Sequence, residues 1–208
     1  MLSNRLIRGM LAAVLSLGCV LAQAQAGKAP DALIKEVSTD VLDAVRADKS
    51  IKQGDVQKVI ALVDAKVMPY VNFQRMTASA VGRYWRQATP EQQKRLQEEF
   101  KVLLVRTYSG ALAQVQDQTV EIKPMRGSAV DKEVVVKTEI RGRGDPVQLD
   151  YRLEQAGASW KVYDINVLGV WLVENYRNTF SQEIGASGID GLIAKLAERN
   201  AKAGIAKS

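Results

Sequence analysis

Histidine is absent from this 208-residue chain, and its absence limits the catalytic chemistry open to the protein. Without an imidazole there is no Ser-His-Asp triad, no Cys-His dyad and no side-chain base that titrates near neutrality. The commonest transition-metal ligand is missing as well, and we expect no metal site. Carboxylate, lysine and hydroxyl chemistry are the options that remain.

Asp164 is the best single candidate for a catalytic group. It follows Tyr163 in an otherwise apolar segment, where burial would raise the pKa of a carboxyl group. The alternative, which we favour, is a carboxylate that accepts hydrogen bonds from neighbouring backbone. No second acid is placed for carboxylate-pair catalysis, and the sequence contains no nucleophile elbow, P-loop or dinucleotide-binding glycine pattern. We therefore expect a protein that is not an enzyme and needs no cofactor.

Residues 1–26 have the pattern of an export signal. Two arginines precede the apolar run Met10–Leu21, which is short for a bilayer span, and small-residue cleavage sites follow it. A lipoprotein signal with lipidation of Cys19 is the alternative, disfavoured because a serine stands three residues earlier where an aliphatic residue is usual. Cleavage after the signal would leave a thiol-free protein, which suits a bacterial periplasmic protein held by its core. We predict that residues 27–208 form a single periplasmic domain.

The excess of basic residues gives the chain a formal net charge of +6. Lysine and arginine are scattered among acids rather than gathered on one helix face, so the sequence does not favour nucleic-acid binding. A modest attraction to anionic membrane surfaces or acidic partners is the better use of this charge. The Arg143-Gly144-Asp145 tripeptide falls where a turn is needed, and turn geometry explains it without a role in adhesion.

Apolar spacing predicts helices followed by strands and then helices again. Helical periodicity covers residues 33–48, 55–67, 72–86 and 89–115, and the last of these opens with a capping box at Thr89 to Gln92. Alternation typical of strands covers residues 120–123, 134–141 and 147–154, and a fourth strand, whose buried face the sequence does not reveal, covers 160–167. Two helices, 170–184 and 189–200, follow and are divided by Gly185 and Gly188. Helices must cover the open sheet, so the sequence predicts an α+β fold with a four-stranded antiparallel meander.

The apolar surface between Val67 and Tyr108 is broader than one face of a sheet requires. Ordinary core is the simpler interpretation. A concave, mostly hydrophobic wall for an apolar ligand is the other, and periodicity does not distinguish the two.

A series of short motifs extends along most of the chain in a fixed order. They are PYVNFQRM at 69–76, GRYWR at 82–86, ATPEQ at 88–92, YSG at 108–110, YD at 163–164, GV at 169–170, NYR at 175–177 and GIDGL at 188–192. Together with the export signal, these motifs resemble the MlaC or toluene-tolerance family of periplasmic phospholipid-binding proteins.

The resemblance implies a monomeric periplasmic shuttle that does not itself span a membrane. It would carry a diacyl glycerophospholipid between an outer-membrane lipoprotein complex and an inner-membrane transporter with MCE domains, in the pathway that maintains lipid asymmetry. Helices packed on one face of the sheet would enclose an apolar cavity for the acyl tails. Carried over by position, the cavity wall comprises Val67, Met68, Tyr70, Phe73, Met76, Val81, Tyr84, Phe100, Leu104, Tyr108, Leu149, Tyr151, Val162, Val170, Val173 and Phe180.

One expectation follows from this assignment, and one competing interpretation stands beside it. A charge introduced at Leu104 or Val170 would abolish lipid retention, because a charge is costly among acyl tails. The competing interpretation is a lipid-free periplasmic adaptor or chaperone whose apolar surface binds proteins.

Overall fold

The computed structural model describes residues 28–125 and 131–205, so the predicted export signal and Cys19 lie outside the described residues. The helices are α1 (Pro30–Ala47), α2 (Lys49–Lys52), α3 (Val56–Lys66), α4 (Phe73–Val81), α5 (Pro90–Ala113) and α6 (Leu172–Ile205), with 3-10 helices at Met68–Tyr70 and Gly82–Arg86. The strands are β1 (Thr119–Ile122), β2 (Glu133–Arg141), β3 (Val147–Ala156), β4 (Ser159–Val167) and β5 (Val170–Trp171). None of these helices is long and apolar enough to cross a membrane.

Side-chain caps start the helices where the sequence predicts them. Asp55 accepts hydrogen bonds from the first turn of α3, Asn72 does so for α4, and the capping box of Thr89 and Gln92 opens α5. The helix predicted over 72–86 is divided, because Gly82 has a φ of 67° that ends α4 and begins a 3-10 helix. The short helix α2, capped by Asp48, is an addition to the predicted elements.

The sheet is antiparallel, with the five strands in the order of the chain. The prediction of four strands is therefore short by one, because β5 occupies residues expected to begin a helix. Leu168 and Gly169 both have positive φ, at 53° and 90°, and this tight turn brings Val170 back against Val167. The side chain of Asn166 accepts a hydrogen bond from the Gly169 amide at 2.8 Å and fixes the turn.

The two predicted C-terminal helices are the two halves of α6, joined at a kink. Gly188 adopts a φ of 75° and a ψ of −179°, a conformation almost restricted to glycine. Beyond the kink the second half runs beside α5. The Gln92 side chain donates to Asp190 at 2.8 Å, and the Asn200 side chain donates to the Glu99 backbone carbonyl at 3.0 Å.

The helices and the sheet share three buried apolar clusters. The α4–α6 cluster is centred on Phe73, Met76, Leu96, Phe100, Tyr176, Phe180, Ile184 and Leu192. The sheet cluster joins α1 to the apolar face of the sheet through Leu33, Ile34, Val134, Val136, Leu153 and Val162. The α1–α3–α5 cluster contains Leu42, Val45, Ile51, Val59, Val105 and Val115. This packing confirms the predicted α+β class.

A polar clamp ties α4 to the sheet. Arg75 forms salt bridges with Glu133 on β2, at 2.7 Å, and with Glu154 on β3. Its guanidinium lies 3.6 Å from the ring centroid of Tyr163, and the Tyr163 hydroxyl donates to Glu133 at 2.9 Å. Asn72, the cap of α4, also donates its side-chain amide to Glu154 at 2.6 Å. The start of α4 is thereby fixed against three strands.

Candidate functional site: the apolar layer between sheet and helices

One face of the sheet supplies the floor of the candidate site. Tyr151 is paired with Val136 on one side and with Ile165 on the other, so these side chains share a face. Next along β3, Leu153 is paired with Val162. Between these two pairs β4 carries a bulge in which Tyr163 has no partner, and the bulge places residues 162 and 165 on the same face although they are three apart.

An aromatic group on three helices forms the roof. The ring of Phe100 on α5 lies 5.0 Å from Tyr176 and 5.2 Å from Phe180, both in edge-to-face arrangement, and 5.8 Å from Phe73 on α4. Rings at these separations and angles attract one another beyond the effect of burial alone. Phe100 has no exposed surface, so it lies at the enclosed centre of this group.

The structure divides the sixteen predicted wall residues by burial. Seven are covered by protein and have little surface left to offer a ligand unless the packing changes: Phe73, Met76, Val81, Phe100, Val162, Val173 and Phe180. Eight are half-buried: Val67, Met68, Tyr70, Tyr84, Leu104, Tyr108, Leu149 and Tyr151. Val170 is 51% exposed, on the short strand β5. The assignment of these residues to a lipid wall stays a prediction, and the half-buried eight are its best candidates.

Half-buried candidates lie between the α4–α6 cluster and the sheet. Leu104, Tyr108 and Met68 pack against the α4–α6 cluster, while Tyr70 and Tyr151 pack against the sheet cluster. Two residues that the sequence reasoning missed connect these sets, because Val71 and Ile165 contact both clusters. The bulge shifts the alternation of β4, so the sequence pattern does not reveal the face of Ile165. Val71 lies within the motif PYVNFQRM, which could have pointed to it.

Two tyrosines at this junction are held in apolar surroundings. Burial raises the pKa of Tyr108 on α5 and of Tyr151 on β3. Interactions of the Tyr151 hydroxyl with the side chains of Ser38 and Thr138 act in the opposite direction on its pKa. A phenol presents an apolar ring with one polar end, so the rings of these two tyrosines add apolar surface to the junction.

Two surface pockets formed by described residues lie outside this layer. One of about 430 Å³ lies at the start of α5 and is lined by Gln92, Arg95 and Asp190 among others. Another of about 520 Å³ lies between α2 and α3. Both are lined mainly by polar residues, and neither includes a predicted wall residue.

Asp164 is used structurally. Its side chain is 1% exposed, and its Oδ1 accepts hydrogen bonds from the backbone amides of Ile165, at 2.9 Å, and Val173, at 3.1 Å. Its Oδ2 accepts a hydrogen bond from Arg152 at 3.0 Å. The guanidinium of Arg152 stacks 3.8 Å from the ring centroid of Trp171. Burial raises the pKa of Asp164, although the two amides and Arg152 favour the ionised form. The carboxylate joins β4 to the first turn of α6. It accepts hydrogen bonds from backbone amides, which is the interpretation that the sequence favoured.

This chain is similar in sequence and in fold to known proteins. The chain is 48% identical to a phospholipid-binding protein from Ralstonia solanacearum, solved in complex with a phospholipid, with a TM-score of 0.81 over 84% of this chain and 98% of that one. It is 26% identical to the toluene tolerance protein ttg2D of Pseudomonas putida over 167 residues, 79% of this chain and 77% of that protein. It is 24% identical to the intermembrane phospholipid transport system binding protein MlaC of Haemophilus influenzae over 191 residues, 90% of this chain and 89% of that protein.

The family model described as MlaC protein matches residues 35–198, from α1 into the second half of α6. The match therefore includes the whole sheet, the aromatic group and the half-buried junction. The resemblance stated from the short motifs is confirmed, and the chain belongs to the MlaC family.

Proposed function

We propose that this protein is a periplasmic carrier that holds one diacyl glycerophospholipid and moves it between the outer and inner membranes. The observation that carries the proposal is the phospholipid complex of the Ralstonia protein, which shares 48% identity and nearly its whole length with this chain. In this chain the tails would lie between the sheet and α5, against the half-buried residues Leu104, Tyr108, Leu149 and Tyr151.

The energetics of lipid transfer explain why a carrier is needed. Two acyl chains contain about 30 methylenes, and at about 0.8 kcal/mol each their removal from water is worth on the order of 20 kcal/mol. A free phospholipid therefore does not cross the periplasm at a useful rate. Bilayer and apolar cavity are similar solvents, so exchange with a membrane is nearly balanced and direction must come from partners. We propose an outer-membrane lipoprotein complex and an inner-membrane MCE-domain transporter as those partners, in the lipid-asymmetry pathway.

Native mass spectrometry of the protein purified from the periplasm without detergent tests the proposal directly. We expect one phospholipid per chain, identified after solvent extraction. We also expect tolerance of the head group, because the apolar layer meets methylene tails. A protein that is lipid-free, and stays lipid-free after incubation with liposomes, would contradict the carrier and favour the lipid-free adaptor. The same spectrum gives the mature N-terminus, expected near residue 27, and the monomeric state.

Hydrolysis through Asp164 is the remaining enzymatic alternative. Asp164→Asn keeps an oxygen for the Ile165 and Val173 amides but removes the negative charge that faces Arg152. We expect a folded, lipid-loaded variant with a somewhat lower free energy of unfolding. A wild-type esterase activity that disappears in this variant would overturn the proposal that the protein is not an enzyme.

A further inference from the structure

Arginine is concentrated, without carboxylate partners, at the corner where α4 ends. Arg83 and Arg86 are exposed and three residues apart on the 3-10 helix Gly82–Arg86, so their side chains share one side of it. Exposed Arg177 on α6 reaches the same corner, because its Nε donates to the Ser79 carbonyl at 2.9 Å. We call Arg83, Tyr84, Trp85, Arg86 and Arg177 the arginine surface.

Most other arginines in the described part of the chain are neutralised locally. Salt bridges to Asp or Glu hold Arg46, Arg75, Arg95, Arg141, Arg143 and Arg152. Within residues 28–125 and 131–205, by contrast, the three arginines of the arginine surface have no carboxylate within 4.0 Å.

Few acidic residues lie near these arginines along the chain, and none forms a salt bridge with them among the described residues. No Asp or Glu occurs between Asp64 and Glu91. On α6, Glu183 is paired with Lys195, and exposed Glu174 forms no salt bridge with Arg177, one turn later. The arginine surface is therefore a local concentration of charge in a protein whose basic residues are otherwise scattered.

Two aromatic side chains lie among these arginines. Tyr84 and Trp85 are half-buried and pack against the α4–α6 cluster. The Arg83 guanidinium lies 5.0 Å from the Tyr84 ring centroid and donates to its hydroxyl at 3.0 Å. Tyrosine and tryptophan favour the boundary between hydrocarbon and water, and the guanidinium fork matches phosphate oxygens. This combination fits lipid head groups better than it fits an acidic protein surface, which would supply carboxylates and little hydrocarbon.

We propose that the arginine surface binds directly to bilayers that contain anionic phospholipids. This goes beyond carriage, because a cavity and protein partners would suffice for a shuttle that never touches a membrane. Contact through the arginine surface would hold the protein at the membrane between collisions with its partners. Near an anionic surface each arginine contributes roughly a fivefold increase in affinity, so the three together contribute on the order of a hundredfold.

Vesicle flotation tests the proposal with two variants of equal net charge. One carries Arg83→Gln, Arg86→Gln and Arg177→Gln. The control carries Lys52→Gln, Lys58→Gln and Lys137→Gln, three exposed positions on α2, α3 and β2. Circular dichroism establishes that both are folded.

We expect the wild type to float with vesicles of phosphatidylethanolamine and phosphatidylglycerol, less so as salt is raised, and not with uncharged vesicles of phosphatidylethanolamine and phosphatidylcholine. The arginine variant should bind on the order of a hundredfold more weakly, and the lysine control nearly as the wild type. Equal losses in both variants, wild-type binding by the arginine variant, or no binding by the wild type would each overturn the proposal. Arginine-dependent binding to immobilised polyglutamate without vesicle binding would overturn it in favour of an acidic protein.

Lipid content measured on the same variants separates this proposal from the carrier. A wild type that binds vesicles through the arginine surface but never contains lipid would contradict only the carrier. A lipid-loaded protein that ignores anionic vesicles would contradict only the arginine surface.

Discussion

A carboxylate at position 104 should expel the lipid without unfolding the protein. Leu104 lies on α5, is half-buried and packs against the α4–α6 cluster. Leu104→Asp removes a modest amount of buried hydrocarbon, so we expect a cost of about 1–2 kcal/mol in the free energy of unfolding. Against an acyl tail the new carboxylate meets surroundings similar to a bilayer centre, where aspartate costs roughly 3 kcal/mol. Because the competing compartment is a bilayer, the equilibrium constant for loading lipid from vesicles should fall on the order of a hundredfold.

The assay is native mass spectrometry after equilibration with phospholipid vesicles, with urea unfolding of each variant to establish the fold. Leu104→Met keeps the volume and apolar character of the side chain and should retain lipid. Val170→Asp is a second comparison, because the resemblance assigns Val170 to the same wall but its side chain is 51% exposed on β5. A carboxylate there stays in water, so we expect Val170→Asp to retain lipid, contrary to the expectation from the resemblance alone.

Full lipid occupancy in a folded Leu104→Asp protein would refute this reasoning and remove Leu104 from the wall. Loss of lipid in Val170→Asp as well would show that β5 moves against the ligand, and that exposure in this structure does not identify the wall. Loss of lipid in Leu104→Met would mean that packing shape, rather than charge, controls occupancy.

Three further predictions concern the framework around the site. Phe100→Ala should lower the free energy of unfolding by about 3–5 kcal/mol in urea titrations of lipid-free protein, because three rings lose their common neighbour. An unchanged value would show that the aromatic group is not packed as described. Gly188→Ala should lower the free energy of unfolding by about 1–3 kcal/mol from backbone strain alone, since an added Cβ meets no atom within 4 Å. Gly185 has equal space and no positive φ, so Gly185→Ala should raise the free energy of unfolding by about 0.5–1 kcal/mol. Equal effects of the two substitutions would contradict the kink. Hydrogen bonds from Arg75 and Tyr163 hold the pKa of Glu133 below its usual value. Their contribution to the free energy of unfolding is therefore complete above the ordinary glutamate pKa, and it is lost as the pH falls through the lowered pKa of the folded protein. Unfolding titrations against pH should show this loss in the wild type and a shallower one in Glu133→Gln.

The sequence by itself determines the local elements of this protein. Asp55, Thr89 and Gln92 cap helices through bonds to amides two or three residues away, so their effect can be read from neighbours in the chain. Strand alternation likewise identifies β2 and β3. The order of the family motifs identified the MlaC family for the same reason, because a linear pattern needs no knowledge of folding.

The tertiary structure decides everything that depends on contacts between distant segments. The bulge at Tyr163 arises from pairing with β3 and shifts the phase of β4, so the face of Ile165 was hidden in the sequence. Burial separates the packed Phe100 from the half-buried Leu104, although both occupy apolar positions of one helix. The arginine surface is likewise visible only in the fold, because Arg177 and the 3-10 helix are far apart in the chain. Periodicity records which face of an element is apolar, whereas only packing determines how much of that face its neighbours cover.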